Sequence, residues 1–158
     1  MKVEIVPFEK KYYHDVINLK LKEDDMKEVE ASTGLPYRRV MQKTVNTHKE
    51  SMMLILYKGT VSGIFGVVPS GKIGVGIGYL LTDDRLKEYE WDMAKYTIDV
   101  FLYLLDYWPI ITNYVSAEHV VSIRWLKRNG ARFDKKPVFL ADMKTPFYKF
   151  ELRKSDYV

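Results

Sequence analysis

Ile110-Ile111-Thr112-Asn113-Tyr114-Val115, followed by Glu118-His119-Val120-Val121-Ser122-Ile123-Arg124-Trp125-Leu126-Lys127-Arg128-Asn129-Gly130-Ala131-Arg132-Phe133, is the most informative part of the chain. Its β-branched and aromatic first half reads as a buried strand. The second half predicts a short helix from about Ala117 to Asn129, with Ser116 as N-cap, Glu118 in the first turn and Gly130 just past the C-terminus. At Phe133 the chain returns to extended structure.

Immediately upstream, Leu86 to Tyr107 carries Ala94, Ile98, Phe101, Leu102 and Leu105 on one stripe, which predicts the longest helix of the chain, ended by Pro109. Before it, Met52–Tyr57 and Val61–Val68 flank Lys58-Gly59 as a hairpin, and a third run covers Ile73–Leu81. The amino-terminal third predicts a strand at Val3–Phe8, limited to an edge or strand end by Pro7. A surface helix follows over about Tyr12–Val29 with an interruption near Asp24-Asp25, then a break at Gly34 and Pro36, then a second helix to about Thr47. Beyond Phe133, strands are expected around Val138–Met143 and Phe147–Arg153.

The 158 residues suit one domain spanning 1–158, with 47% hydrophobic residues for a core and 29% charged residues for a solvated surface. The absence of cysteine removes disulfides, thiolate nucleophiles and cysteine-held metals from consideration. His14, His48 and His119 are too scattered to suggest zinc. No apolar run reaches membrane-spanning length, so a cytoplasmic protein is expected. The net charge of +4 would favour phosphate-bearing ligands, but both signs are interspersed, which weakens a nucleic-acid reading.

The order β-α-α-β-β-β-α-β-α-β-β, with that strand, helix, glycine and aromatic at its end, resembles the GCN5-related N-acetyltransferases. This resemblance implies an α/β fold with a mixed sheet, helices on both faces and an acyl-CoA cleft beside the 117–129 helix. It implies acetyl-CoA as co-substrate and a primary amine as acceptor. Five segments resemble more narrowly the acetyltransferase-like proteins of T7-like short-tailed bacteriophages: Asp25–Ala31, Gly63–Val67, Leu80–Asp83, Thr112–Val115 and Ile123–Lys127 with Gly130-Ala131. That implies a phage-encoded protein acting in the host cytoplasm, with a host or virion protein as the alternative partner to acetyl-CoA; a homodimer is also among the expectations.

Carried over residue by residue, the resemblance places a CoA-binding strand and turn at Tyr79, Leu80, Leu81, Arg85 and Lys87, and pantetheine contacts at His119 and Ser122. The family's glycine-rich pyrophosphate turn is replaced by Thr82-Asp83-Asp84-Arg85, and Leu126 stands where an acid tyrosine is frequent. Tyr114 is the candidate acid, and Glu28, with Asp25 beside it, the candidate base. Gly74-Val75-Gly76-Ile77-Gly78 lacks the third glycine spacing of a dinucleotide loop; its period-two glycines instead bare one strand face for close packing or a ligand. Two readings follow: an acyl-CoA N-acyltransferase with incomplete motifs, and a non-catalytic protein-binding use of the same fold.

Overall fold

A computed structural model describes residues 3–157. Strands β1 (Val3–Pro7), β2 (Met53–Tyr57), β3 (Thr60–Pro69), β4 (Val75–Thr82), β5 (Ile110–Ser116), β6 (Arg132–Phe133), β7 (Val138–Phe139) and β8 (Pro146–Arg153) form one sheet. Its order is β1-β2-β3-β4-β5-β8-β6, with β7 on β8, and among the described residues only β4 and β5 pair in parallel. Helices α1 (Tyr13–Ile17), α2 (Glu23–Thr33) and α3 (Tyr37–His48) lie between β1 and β2, α4 (Leu86–Tyr107) between β4 and β5, and α5 (Val120–Arg128) after β5.

Alternation along the central strands splits the core into two layers. Leu54, Leu56 and Ile64 pack with Val16, Leu19, Val29, Met41 and Val45 under α1–α3. Ile55 and Phe65 point the other way and meet Tyr89 of α4. Farther along α4, Phe101 and Leu105 pack with Val67, Ile111 and Leu152. Trp125 of α5 meets Phe101 edge-on at 5.6 Å, an arrangement worth about 1 kcal/mol beyond burial alone. Thus α4 and α5 share one face, and α1–α3 cover the other.

The expected meander and long helix are present, but four local readings need correction. The chain leaves the first helix earlier than expected: α1 ends where Asn18 Nδ2 donates to the His14 carbonyl, and Leu19 and Leu21 are buried in the connection. Asp24 and Asp25 lie within the first turn of α2, where acidic side chains complement the helix dipole, so they open a helix instead of interrupting one. Ser116 is not the cap of α5; its carbonyl and hydroxyl accept from His119 N–H and Glu118 N–H in a turn that delays the helix to Val120. The strand expected over Val138–Met143 shrinks to β7, because Asp142 accepts from Lys144 N–H and Thr145 N–H and folds the segment into a turn. A further short strand, β6, follows Gly130.

The glycines of β4 serve close packing. A β-carbon at Gly76 would collide with Val67 and the Trp108 ring, and one at Gly78 with Ile111. These two positions let the β5 side of the sheet and the end of α4 close onto β4.

Candidate functional site

The β4–β5 ladder contains Val75–Ile110, Gly76–Ile111 and Ile77–Thr112, and then stops. Both strands continue, β4 to Thr82 and β5 to Ser116, so the sheet opens into a notch. The first position beyond the ladder is bridged by a side chain: Asn113 Nδ2 donates to the Gly78 carbonyl at 2.7 Å, while its Oδ1 accepts from Tyr114 N–H. Since backbone groups of residues i, i+2 and i+4 face the same way along a strand, Leu80 N–H and C=O face the notch together with those of Gly78 and Thr82.

The open strand ends are held by α2. Asp25 Oδ2 accepts from Thr82 N–H at 2.9 Å, and Thr82 C=O accepts from Lys22 N–H at 2.9 Å. Across the notch, Glu28 Oε2 accepts from Ser116 N–H at 2.9 Å. The register of a helix explains the pair: Asp25 and Glu28 are three residues apart and share one face. Lys22 Nζ pairs with Asp25 Oδ1. Burial raises the Asp25 pKa above its usual range, against the lowering effects of Lys22 and the Thr82 N–H.

His119 joins α2 to α5. Its Nδ1 lies 3.1 Å from Glu28 Oε2 and its Nε2 2.9 Å from Ser122 Oγ, with Asp25 Oδ1 farther away at 4.0 Å. The ring is 7% exposed. Burial opposes its charge, yet the Glu28 hydrogen bond and charge, aided by Asp25, raise its pKa above 6.5 despite repulsion from Lys22.

Next to Glu28 and His119 is an open groove of about 400 Å³ between α2 and the β7–β8 turn. Asp24, Glu28, Glu30, Glu118 and Asp142 line it, together with Lys27 and His119. Asp142 N–H donates to Ala31 C=O at 3.0 Å and ties the turn to α2.

Of the residues singled out in the sequence, Glu28, His119 and Ser122 come together in one hydrogen-bonded chain. Tyr114 does not join it: among the described residues no hydrogen bond links its hydroxyl to Glu28 or His119, although the ring is 37% exposed on the sheet face opposite Val115 and α5. Tyr79 offers the notch no side chain, because its hydroxyl is buried against Gly66 with no hydrogen-bond partner among the described residues, and burial raises its pKa. Leu80 is partly exposed and Leu81 packs beside the α1–α3 core. Arg85 is engaged by the turn itself: its Nε and Nη2 donate to Asp83 Oδ2 at 3.0 and 2.8 Å, and Nη2 also to the Val61 carbonyl. Asp83 Oδ1 accepts from Arg85 N–H and Ser62 Oγ, so a carboxylate occupies the start of α4. Lys87 is exposed. Asn113 was not a sequence candidate; an Asn in a strand, where its β-propensity is poor, was the available signal.

No protein-family model and no curated protein matches the sequence. Solved structures do match the fold. Spermidine N-acetyltransferase from Vibrio cholerae, solved in complex with CoA and spermine, superposes with a TM-score of 0.72 at 11% identity, covering 99% of this chain and 98% of that one. A GNAT-family acetyltransferase from Bacillus anthracis gives 0.69 at 14% identity over 98% and 96% of the two chains. Ard1 from Thermoplasma volcanium gives 0.69 at 16% identity over 97% and 98%. The chain therefore has the fold of the GCN5-related N-acetyltransferases.

Proposed function

We propose that the protein is an acyl-CoA N-acyltransferase that moves an acetyl group from acetyl-CoA to a cationic primary amine. The observation that carries this reading is the notch, whose open strand ends are held by Asp25 and Glu28 of α2, the helix whose Glu28 also lines the acidic groove with His119. Strand-edge amides suit an extended, amide-bearing pantetheine arm, and an N–H directed at the thioester carbonyl would stabilise its developing oxyanion. The diphosphate is less well served: Asp83 fills the start of α4 and Arg85 is bonded to it.

An excess of carboxylates along the groove favours a protonated amine. Glu28 is the proposed base that takes its proton, and Tyr114 the proposed acid for the departing thiolate. The amine nitrogen then forms a bond to the carbonyl carbon as the carbon–sulfur bond breaks. Of the structural neighbours, one is a spermidine N-acetyltransferase bound to spermine, which makes polyamines the first acceptors to test. The test is release of free CoA thiol from acetyl-CoA in the presence of spermidine or spermine, with an acetylated amine identified by mass spectrometry. The chain has no cysteine, so the thiol signal has no protein background. Thiol release that depends on the amine supports the proposal; none above buffer refutes it for these amines.

A second reading is favoured by the carboxylate-filled turn before α4: a phage-encoded protein that uses the fold to bind a host or virion protein without turnover. Its mark would be a protein captured by the folded chain together with absence of acetyl-CoA binding. Either reading is compatible with a cytoplasmic protein, and no helix among the described residues is long and apolar enough to cross a membrane.

A further inference from the structure

We propose that Ser122 is a nucleophile activated by His119 and Glu28, able to accept an acyl group from an activated ester or thioester. Glu28 Oε2, His119 and Ser122 Oγ form a linear chain with separations of 3.1 and 2.9 Å at the two ring nitrogens. A carboxylate can only accept, so in the neutral ring the proton resides on Nδ1, facing Glu28. That leaves Nε2 as an acceptor directed at the Ser122 hydroxyl. The arrangement is a base oriented by a carboxylate and placed within reach of an alcohol, which is the requirement for nucleophilic acyl transfer.

Two features favour reaction at this hydroxyl. Glu28 is itself fixed by Ser116 N–H, and the ring is buried, so the base is held in one orientation. Ser122 lies in the first turn of α5, where Ile123 N–H is the first to find a carbonyl, that of His119. Among the described residues, the N–H groups of Val120, Val121 and Ser122 have no backbone acceptor, and Val121 is 71% exposed. Those donors can receive the oxyanion.

In the step, Ser122 Oγ forms a bond to the acyl carbon and the ester or thioester bond breaks. The hydroxyl proton passes to His119 Nε2 and then to the leaving oxygen or sulfur. Water, activated by the same ring, later releases the carboxylic acid and restores the serine. The route needs neither CoA nor an amine, so its test is separate from that of the proposed acetyltransferase activity.

The test uses the full chain with p-nitrophenyl acetate, following nitrophenolate release and intact mass, with peptide mapping of any adduct. The expected result is a stoichiometric burst with the acetyl group on Ser122. Its rate should increase as His119 loses its proton, in the field of Glu28 and Asp25 of α2 and of Lys22 before it. Ser122→Ala should abolish the burst, and Glu28→Gln should slow it on the order of 100-fold while leaving far-UV circular dichroism unchanged. Should Ser122→Ala fail to fold, Ser122→Cys carries the chain's sole thiol and should acetylate faster folded than in denaturant. Acetyl groups found only on lysines, a burst that survives Ser122→Ala, or a thiol no more reactive folded than unfolded would overturn the proposal.

Discussion

The Asp25 carboxylate accepts a hydrogen bond from Thr82 N–H at 2.9 Å, so a helix preceding the meander terminates the last open rung of β4. Both residues are buried. Removing the carboxylate leaves a buried backbone donor without its acceptor, which costs about 1–3 kcal/mol. Asp25→Ala should therefore lower stability by about that amount in urea unfolding, whereas Asp25→Asn, which keeps an acceptor oxygen, should cost less. Equal losses in the two variants would show that the Lys22 pair, not the Thr82 bond, carries the effect.

On the β5 side Glu28 has two roles, holding Ser116 N–H and orienting His119. Glu28→Gln retains an oxygen for Ser116 but removes the charge that the acceptor amine and the ring require. Its predicted signature is near-normal thermal stability with acetyl transfer reduced by about 100-fold. Full activity in this variant would remove Glu28 from the base role.

His119 gives the fold a signed pH dependence. Its folded pKa is raised above the ordinary 6.5, so the native state holds a proton that the unfolded chain releases. The resulting stabilisation is complete below 6.5 and is lost as pH rises through the folded value. Melting temperature should fall as pH rises through that window, and His119→Gln should flatten the dependence there. A variant that keeps the full slope would place the proton elsewhere.

Tyr79 carries a buried hydroxyl, packed against Gly66, that has no hydrogen-bond partner among the described residues. Deleting it removes a desolvated polar atom and little else. Tyr79→Phe should leave the fold unchanged or stabilise it by about 1 kcal/mol. A loss of more than about 1 kcal/mol would reveal an important partner for that oxygen.

Much of this fold was legible because its signals are local. The stripe of α4 from Leu86 to Tyr107, the hairpin around Lys58-Gly59 and the Gly130 stop each follow from spacing or turn chemistry within a few residues. The site was legible only in pieces. Glu28 and His119 are 91 residues apart, and nothing between them in the chain announces that α2 and α5 meet. Arg85 is a clear case of the difference: its sequence position suits a phosphate, while tertiary contacts assign its guanidinium to Asp83 and Val61. Likewise the role of Asn113 depends on where the β4–β5 ladder ends, which no periodicity reveals.

Occupation of the notch between β4 and β5 by the acyl donor's arm can be read from hydrogen exchange at the Leu80 amide, followed by NMR with and without acetyl-CoA. Acetyl-CoA should slow exchange at Leu80 and shift the Asn113 side-chain amide, because both border the open rungs. Unchanged exchange and unchanged shifts at both positions, at millimolar acetyl-CoA, would contradict it.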